Sequence, residues 1–228
     1  MKKIVVLTGA GMSAESGIKT FRDAGGLWEG HDIMEVASPQ GFENNPDLVL
    51  DFYNQRRKQL LEVSPNQAHY KIAQLEKLYD VTVITQNIDD LHERAGSKKV
   101  VHLHGELLKA RSTKNERKIY NWKKDIVIGD QCELNSQLRP HIVWYGEPVP
   151  MLDHAIEITI KAEILVIIGT SMQVYPAASL VHYIKPNTPM FFIDPKPTIQ
   201  PNDFNNLIII PEVASKGVNL LIKKYLNG

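Results

Sequence analysis

The stretch KIVVLTGAGMSA, from Lys3 to Ala14, joins a β-branched apolar run directly to a glycine-rich turn. The run Lys3–Thr8 is apolar on both faces, which is typical of a strand covered on both sides of a parallel sheet. The pattern Gly9-x-Gly11-x-x-Ala14 follows it in the strand–turn–helix order of a dinucleotide-binding fingerprint. The first glycine permits the tight turn, and the second lets the backbone approach a pyrophosphate. A purely structural turn is the alternative interpretation.

The acidic residue that binds the ribose in ordinary dinucleotide-binding dehydrogenases is missing from its expected strand. Glu29 and Asp32 have about the right spacing, but both lie in loop-like sequence. The sequence therefore predicts a nucleotide site that differs from that of an ordinary dehydrogenase.

Five further runs resemble the first in being short and apolar on both faces. They are Val81–Gln86, Lys99–His104, Ile164–Gly169, Met190–Asp194 and Leu207–Ile210. Helix-like stretches, namely Asn66–Tyr79, Met151–Ala162 and Ser215–Leu226, lie between some of them. This alternation predicts an α/β fold, a Rossmann-like open parallel sheet with helices on both faces.

Two insertions do not fit this sheet and predict a separate small module. The first, 25–62, is loop-like over Gly25–Phe42 and then helical over Pro46–Glu62, with Asn45 as N-cap. The second, 109–138, is polar, and the candidates for its core are Ile119, Trp122, Ile126, Val127 and Ile128. The remaining segments, 1–24, 63–108 and 139–228, form the predicted Rossmann-like domain.

Composition excludes several classes of protein. The 26 basic and 26 acidic residues balance, which argues against a nucleic-acid or membrane surface as the main partner. The longest aliphatic run, 164–168, is too short to span a bilayer. The single cysteine, Cys132, rules out an internal disulfide framework and fits a reducing compartment. We expect a cytoplasmic protein.

Polar residues follow several of the predicted strands. Gln86-Asn87-x-Asp89, His104-Gly105, Gly169-Thr170-Ser171 and Asp194 all stand at strand ends. Because ligands of open α/β sheets bind outside the carboxyl ends of the strands, these ends predict one site. The alternative is that they are polar merely because loops are solvated.

Several blocks together make the chain resemble the sirtuins, NAD-dependent protein lysine deacylases. In order along the chain they are Gly9–Arg22, Thr85–Asp89, His102–Gly105, Val143–Glu147 and Gly169–Ser171. One departure is Thr20, where the family usually has Asp before Phe-Arg. The resemblance implies NAD as cofactor, a single catalytic domain over 1–228, and acyl-lysine proteins or peptides as substrates.

Family chemistry cleaves NAD at the nicotinamide–ribose bond while the acyl oxygen attacks the ribose, and this step needs a base. His104 suits the role because imidazole titrates near neutrality, the alternative being a purely structural histidine. The resemblance makes Asn87 a second catalytic residue, paired with Asp89 at the nicotinamide carboxamide. His102 is expected to be packed or exposed without catalytic duty.

The resemblance also implies a larger set of cofactor-binding residues. The set is Gly9, Ala10, Gly11, Ser13, Phe21, Arg22, Trp28, Gln86, Asn87, Ile88, Asp89, His104, Gly169, Thr170, Ser171, Asp194 and Ala214. Asp194 stands where the family commonly has Asn, which makes its adenosine contact less certain.

The long predicted helix carries an arginine on an apolar face. Val49, Tyr53, Arg56 and Leu60 share that face by their spacing, and snorkelling of the arginine stem is one explanation. The resemblance favours another, since Tyr-x-x-Arg looks like the class III sirtuin signature that binds the carboxylate of succinyl- or malonyl-lysine.

Two further blocks bear on the substrate and on zinc. The block Leu138–Trp144 also resembles class III, and the backbone of Val143, Trp144, Tyr145 and Gly146 is expected to pair with the substrate peptide. Sirtuins usually carry Cys-x-x-Cys twice in the second insertion, but the matching residues here are Ser112, Asn115, Cys132 and Asn135. We therefore expect a degenerate zinc-ribbon-like part without zinc or any other metal.

The sequence thus predicts an NAD-dependent protein-lysine deacylase that prefers succinyl- or malonyl-lysine and retains some deacetylase activity. The expected products are nicotinamide and O-acyl-ADP-ribose. A mono-ADP-ribosyltransferase and a non-catalytic NAD- or ADP-ribose-binding module are the alternatives.

Overall fold

A computed structural model describes residues 1–19, 27–28 and 30–226. Its strands are β1 (Lys3–Thr8), β2 (Leu27–Trp28), β3 (His31–Asp32), β4 (Asp80–Thr85), β5 (Val100–His102), β6 (Gly105–Ser112), β7 (Ile119–Asn121), β8 (Leu138–Ile142), β9 (Ile164–Ile168), β10 (Met190–Ile193) and β11 (Leu207–Ile210). Its α-helices are α1 (Ile33–Val36), α2 (Pro39–Asn44), α3 (Pro46–Glu62), α4 (Gln67–Leu75), α5 (Leu91–Arg94), α6 (Leu152–Ile160) and α7 (Ala214–Leu221). Short 3₁₀ segments include Ala10–Met12, Ala14–Ser16 and Ala177–Tyr183, and a π-helical turn, Ile222–Leu226, extends α7.

The main sheet has six strands in the order β11-β10-β9-β1-β4-β5, and every pairing in it is parallel. All six runs predicted as strands are present in it, so the predicted fold class is confirmed. The largest difference in bounds is at Lys99–His104, where the strand is shortened to Val100–His102.

Both faces of this sheet are covered, which explains why its strands are not alternately polar. Side chains alternate between faces along a strand, so Ile4 and Val6 pack toward α4 and α7. Val5 and Leu7 pack on the opposite side, toward α6 and the segment Ala177–Tyr183. The sequence therefore shows an unbroken apolar run.

The chain order places a ligand-binding crevice at β1. From β1 the chain adds β4 and β5 on one side, whereas β9, β10 and β11 follow on the other. In an open α/β sheet the crevice lies where the strand order reverses in this way, outside the carboxyl ends of the strands. Here the reversal lies between β1 and β9.

A second, antiparallel sheet has the order β7-β6-β8 and packs beside α3. The helix has the predicted bounds, and its N-cap Asn45 accepts a hydrogen bond from the Leu48 amide at 3.2 Å. This sheet extends from Gly105 to Ile142, past both ends of the predicted insertion 109–138. The division of the chain into domains stays a prediction.

Two expectations about the small module were wrong. The region 25–42, predicted as loop-like, contains the hairpin β2–β3 and the short helices α1 and α2. In the expected core, Ile126 is buried and Trp122 is partly buried, but Ile119, Val127 and Ile128 are 45%, 55% and 51% exposed. The buried residues around Ile126 are Leu50, Ala110, Cys132 and Leu138. The core is built by α3 and the inward positions of β6 and β8, and the polar loop contributes only Ile126 and Cys132 to its buried residues.

Among the helices of the described residues, none is both long enough and apolar enough to cross a membrane.

Candidate active site

The glycine turn after β1 locks against the end of β9. The Gly9 amide donates to the Ile168 carbonyl at 3.0 Å, and the Gly11 amide donates to the Gly169 carbonyl at 2.8 Å. Gly169 has φ +62°, and a Cβ there would lie 2.3 Å from the Met12 amide nitrogen. Only glycine allows the two loops to approach this closely at the predicted crevice.

The residues after β4 form a hydrogen-bond network with the glycine turn. The Asn87 side-chain amide donates to Ser13 Oγ at 3.2 Å, and Ser13 Oγ donates to Asp89 Oδ2 at 2.9 Å. All three residues are buried. Burial raises the pKa of Asp89, although Ser13 and the Leu91 amide act in the opposite direction. The structure thus brings Asn87 and Asp89 together with a serine of the first motif.

His104 is held as a neutral imidazole with a defined tautomer. Its Nδ1 lies 3.0 Å from the Gln86 carbonyl oxygen, which can only accept, so Nδ1 carries the proton. In the neutral ring Nε2 then has the lone pair. Burial lowers the pKa of His104, and the bond to Gln86 only partly offsets this. A neutral ring with an accepting Nε2 is the form that a general base requires.

Several of the other predicted cofactor residues follow strands at the same edge of the sheet. Gln86 donates from Nε2 to Thr170 Oγ1 at 3.1 Å, and Asp194 is buried directly after β10. In the same way, Ala10 follows β1, Ile88 follows β4 and Ser171 follows β9. Ala214 is the first residue of α7, the helix after β11. Phe21 and Arg22 lie outside the described residues.

Trp28, also predicted to bind the cofactor, packs against α3. Its ring centroid is 4.7 Å from that of Phe52 and 5.9 Å from that of Tyr53, both on α3. It therefore lines the region predicted for the acyl group.

The residues present at the edge fit NAD. Amide, carboxylate and hydroxyl groups can pair with a carboxamide and with ribose hydroxyls. The glycine turn lies where the strand order reverses, between β1 and β9, and a dinucleotide binds at this point in folds of this type. The residues that would hold the dinucleotide are Gly9–Ser13, Gln86–Asp89, His104 and Gly169–Ser171.

Tyr53 and Arg56 lie on α3, and Tyr53 belongs to the same hydrophobic cluster as Ile88, which follows β4. Tyr53 is fully buried, and its hydroxyl accepts a hydrogen bond from Trp144 Nε1 at 3.0 Å. Burial raises the pKa of Tyr53, so the hydroxyl keeps its proton at neutral pH. Arg56 is half-buried, with its Cζ 3.6 Å from the centroid of the Phe52 ring and NH1 donating to the Phe52 carbonyl at 2.7 Å.

Sequence reasoning missed three charged residues that hold the segment Val143–Gly146 in place. Glu147 accepts hydrogen bonds from Arg111 and Arg139, with closest distances of 2.9 and 2.7 Å, and from the Trp144 amide at 2.8 Å. The Arg139 guanidinium also stacks over the Trp144 ring at 3.3 Å. The available sequence signal was the arginine in the predicted Leu138–Trp144 block together with Glu147 in the Val143–Glu147 block.

The segment predicted to pair with the peptide has already used several of its amides. The amides of Val143, Trp144 and Tyr145 donate to the His104 carbonyl, Glu147 Oε2 and the Ala37 carbonyl. The Trp144 carbonyl already accepts from the Glu147 amide at 3.0 Å. A substrate peptide would therefore pair with the other carbonyl oxygens of the segment and with Gly146, which has φ +88°.

The positions that match the family's zinc ligands do not fit zinc. Cys132 supplies one thiol, 3.3 Å from Ser112 Oγ, and Ser112 and Ser136 hydroxyls lie 2.9 Å apart. The Asn115 and Asn135 backbone amides form turns, donating to Ser112 Oγ and the Cys132 carbonyl. Structural zinc needs four thiolate or imidazole ligands. No group of three metal-binding side chains occurs in the part of the chain that the structure describes.

Comparisons with known proteins agree in sequence and in fold. A family model described as Sir2 family matches residues 9–176. An NAD-dependent protein deacylase of Helicobacter pylori is 61% identical over 196 residues, 86% of this chain and 84% of that protein. Another, from Bacteroides thetaiotaomicron, is 51% identical over 227 residues, 97% of each chain. The crystal structure of a Sir2 homolog–NAD complex matches with a TM-score of 0.87 and 38% identity, covering 97% of this chain and 88% of that one.

Proposed function

The chain belongs to the Sir2 family and is an NAD-dependent protein deacylase, and from this premise we propose that it prefers lysines carrying an acidic acyl group. Succinyl- and malonyl-lysine are the favoured substrates, acetyl-lysine is a weaker one, and the products are nicotinamide and O-acyl-ADP-ribose. The observation that carries the preference is the position of Arg56.

Arg56 supplies a cation next to the aromatic side chains of α3. It lies one helical turn after Tyr53, and its guanidinium stacks on the Phe52 ring. A planar guanidinium presents a fork of N–H donors that matches a carboxylate. An acyl group that ends in a carboxylate gains this pairing, whereas an acetyl group does not.

Tyr53 supports the same preference from the neighbouring turn. Its hydroxyl oxygen accepts from Trp144, so its own proton can be donated to an acyl carboxylate. Because burial keeps this hydroxyl protonated, Tyr53 adds a neutral donor beside the Arg56 charge.

The neighbouring Arg57 is buried for a different reason. Its Nε donates to the Leu107 carbonyl at 3.1 Å, and its NH1 donates to Asn54 Oδ1 at 2.6 Å. Asn54 in turn bonds both backbone groups of Ile126. Arg57 therefore ties α3 to the small module, which separates a structural arginine from the one that we assign to substrate.

The catalytic edge is arranged for proton transfer and for holding a carboxamide. Bound NAD supplies a ribose carbon whose bond to nicotinamide can be broken. His104, neutral and with Nε2 accepting, removes a proton from a ribose hydroxyl at physiological pH. Asn87 and Asp89 would hold the carboxamide of nicotinamide, and their buried hydrogen bonds to Ser13 orient them for it.

We also propose that the small module folds without zinc. The Ser112–Cys132–Ser136 hydrogen bonds connect the turns that a zinc site would otherwise join. The surrounding packing of Leu50, Ala110, Ile126 and Leu138 completes this support.

A mass-spectrometric assay tests the acyl preference. The protein is incubated with NAD and one peptide that carries acetyl-, malonyl- or succinyl-lysine in separate reactions. We expect faster deacylation of the two acidic peptides, with nicotinamide and O-acyl-ADP-ribose formed in equal amounts. Faster deacetylation than desuccinylation would refute the preference, and an ADP-ribosylated peptide would favour transferase activity instead.

A further inference from the structure

His102 makes two hydrogen bonds, one to Asn87 in the candidate active site and one to Glu93 on α5. It is the last residue of β5, and its side chain is only 8% exposed. Its Nδ1 lies 3.1 Å from the Asn87 carbonyl oxygen, and its Nε2 lies 2.7 Å from Glu93 Oε1. A carbonyl and a carboxylate both accept hydrogen bonds, so both ring nitrogens must carry protons. The geometry therefore calls for an imidazolium.

The two histidines of the His-x-His sequence thus differ in charge. His104 has one accepting partner, the Gln86 carbonyl, and is complete as a neutral ring. His102 has two accepting partners and is complete only as a cation. Their Nδ1 atoms hold the carbonyl oxygens of two consecutive residues, Gln86 and Asn87.

The His102 contact determines how Asn87 is held. The Asn87 amide nitrogen donates to Thr85 Oγ1 at 3.0 Å, and its carbonyl oxygen accepts from His102. The backbone of Asn87 is therefore fixed at both ends. Its side-chain amide then donates a hydrogen bond to Ser13 Oγ, within the pocket that we assign to nicotinamide.

The charged groups around His102 favour the cation. Glu93 on α5 contacts it directly, and the carboxylates of Glu106 on β6 and of Asp89 attract it from further away. His92 on α5 faces it as well, but burial lowers the pKa of His92 well below its ordinary value, so that ring is neutral. Lys109 pairs with Glu106 at 2.7 Å. Burial opposes the charge, but Glu93 and then Glu106 raise the pKa of His102 above its ordinary value.

We infer that His102 is a positioning residue, an imidazolium paired with Glu93 that fixes the Asn87 carbonyl and so orients the Asn87 side chain for the reaction. It touches no substrate and acts through Asn87. The inference rests on the proposed role of this edge in deacylation, but not on which acyl group is preferred.

This role predicts a bell-shaped dependence of kcat on pH. The acid limb belongs to His104, which must lose its proton to act as base. The alkaline limb belongs to His102, because the neutral ring above its pKa keeps a single proton. The Glu93 carboxylate is the stronger acceptor and holds that proton on Nε2, so Nδ1 no longer donates to the Asn87 carbonyl. Activity therefore falls on both sides, with different histidines responsible.

The test measures kcat, KM and the pH profile with the acyl peptide that the wild-type protein deacylates fastest. His102→Leu removes both donors and should lower kcat about tenfold while the peptide KM is unchanged. His102→Asn keeps one amide N–H near the place of Nδ1 and cannot titrate. It should restore most of the activity and lose the alkaline limb, while the acid limb remains. His154→Leu, on the exposed face of α6, is the control and should match the wild type.

Glu93→Gln provides a second test should His102→Leu fail to fold. It removes the charge that holds the second proton, so the alkaline limb should move to lower pH. Nitrogen-15 NMR of the His102 ring in the wild-type protein should show both nitrogens protonated at pH 7. An unchanged alkaline limb in His102→Asn, or a neutral His102 ring at pH 7, would overturn the inference. Equal rates on all acyl peptides would refute only the acyl preference.

Discussion

The edge of the six-stranded sheet and the three-stranded sheet hold their polar groups in different ways. At the edge, Ser13 and Asn87 are neutral, and their hydrogen bonds connect them to Asp89 and to one another. In the three-stranded sheet, Arg111 and Arg139 are full charges, buried with a single carboxylate between them. A neutral hydrogen bond can be replaced by one to a ligand at little cost. Breaking a buried ion pair, in contrast, leaves an unpaired charge and is strongly unfavourable. The edge is suited to chemistry, and the network is suited to holding the substrate-binding segment still.

The largest effect that we expect is at the edge, and it is on rate alone. His104→Ala should lower kcat by about 10²–10⁴-fold, because it removes the base while leaving the sheet intact. Steady-state assays measure the loss, and thermal unfolding serves as the folding control. Near wild-type turnover by a folded variant would remove His104 from the mechanism.

In the three-stranded sheet the corresponding effect should be on stability. Glu147→Gln removes the buried carboxylate that Arg111 and Arg139 share and leaves Arg111 only the exposed Glu116, which should lower the free energy of unfolding by about 3–5 kcal/mol. Glu116→Gln is the matched control, since Glu116 is exposed and lies 3.7 Å from Arg111. Chemical denaturation measures both. A Glu147 variant as stable as its control would show that the network does not support the sheet.

A third prediction concerns the buried histidines beneath the edge. Burial lowers the pKa of His69 to about 4, and burial with repulsion from His69 and His102 lowers the pKa of His92 well below its ordinary value. Both take up protons more readily when the chain is unfolded, so stability is full above pH 6.5 and falls as the pH drops toward 4. For His69 alone the loss is roughly 3 kcal/mol at pH 4.

Urea unfolding at pH 7 and at pH 4.5 checks this prediction. His69→Gln should show a smaller loss between the two pH values than the wild type, while a variant of the exposed His154 should show the same loss. An identical pH dependence in all three proteins would contradict the assignment.

Parts of the fold and the site were predictable from local patterns. The parallel strands appear as apolar runs because both of their faces are buried, as at Val5 and Val6. The site residues at their ends were predictable because parallel strands deliver their carboxyl ends to one edge. Local sequence was sufficient in both cases.

The small module was less predictable because its packing depends on distant residues. Ile126 is buried since Asn54 and Leu50 of α3 reach it, and no local pattern indicates this. Val127 and Ile128 have the same character in the sequence but are exposed. The role of Glu147 likewise depends on arginines that the fold, rather than the spacing, brings together.

The smallest expected effect is at Cys132. Cys132→Ser keeps a hydroxyl beside Ser112 and Ser136, so the free energy of unfolding should change by less than about 1 kcal/mol. Elemental analysis of the wild-type protein should find no stoichiometric zinc. Zinc near one atom per chain, or a chelator that lowers the melting temperature, would contradict the account of this module.

The central claim, that Arg56 selects acidic acyl groups, is tested most directly by the ratio of desuccinylation to deacetylation in Arg56→Met. Removing the charge should leave a bound carboxylate unpaired, a penalty of roughly 3–5 kcal/mol, so kcat/KM for succinyl-lysine should fall by about 10²–10⁴-fold more than that for acetyl-lysine. Tyr53→Phe should act in the same direction but more weakly, and Lys58→Met, on the exposed side of the same helix, should leave the ratio unchanged. Equal losses on both substrates in Arg56→Met would show that Arg56 only supports the helix.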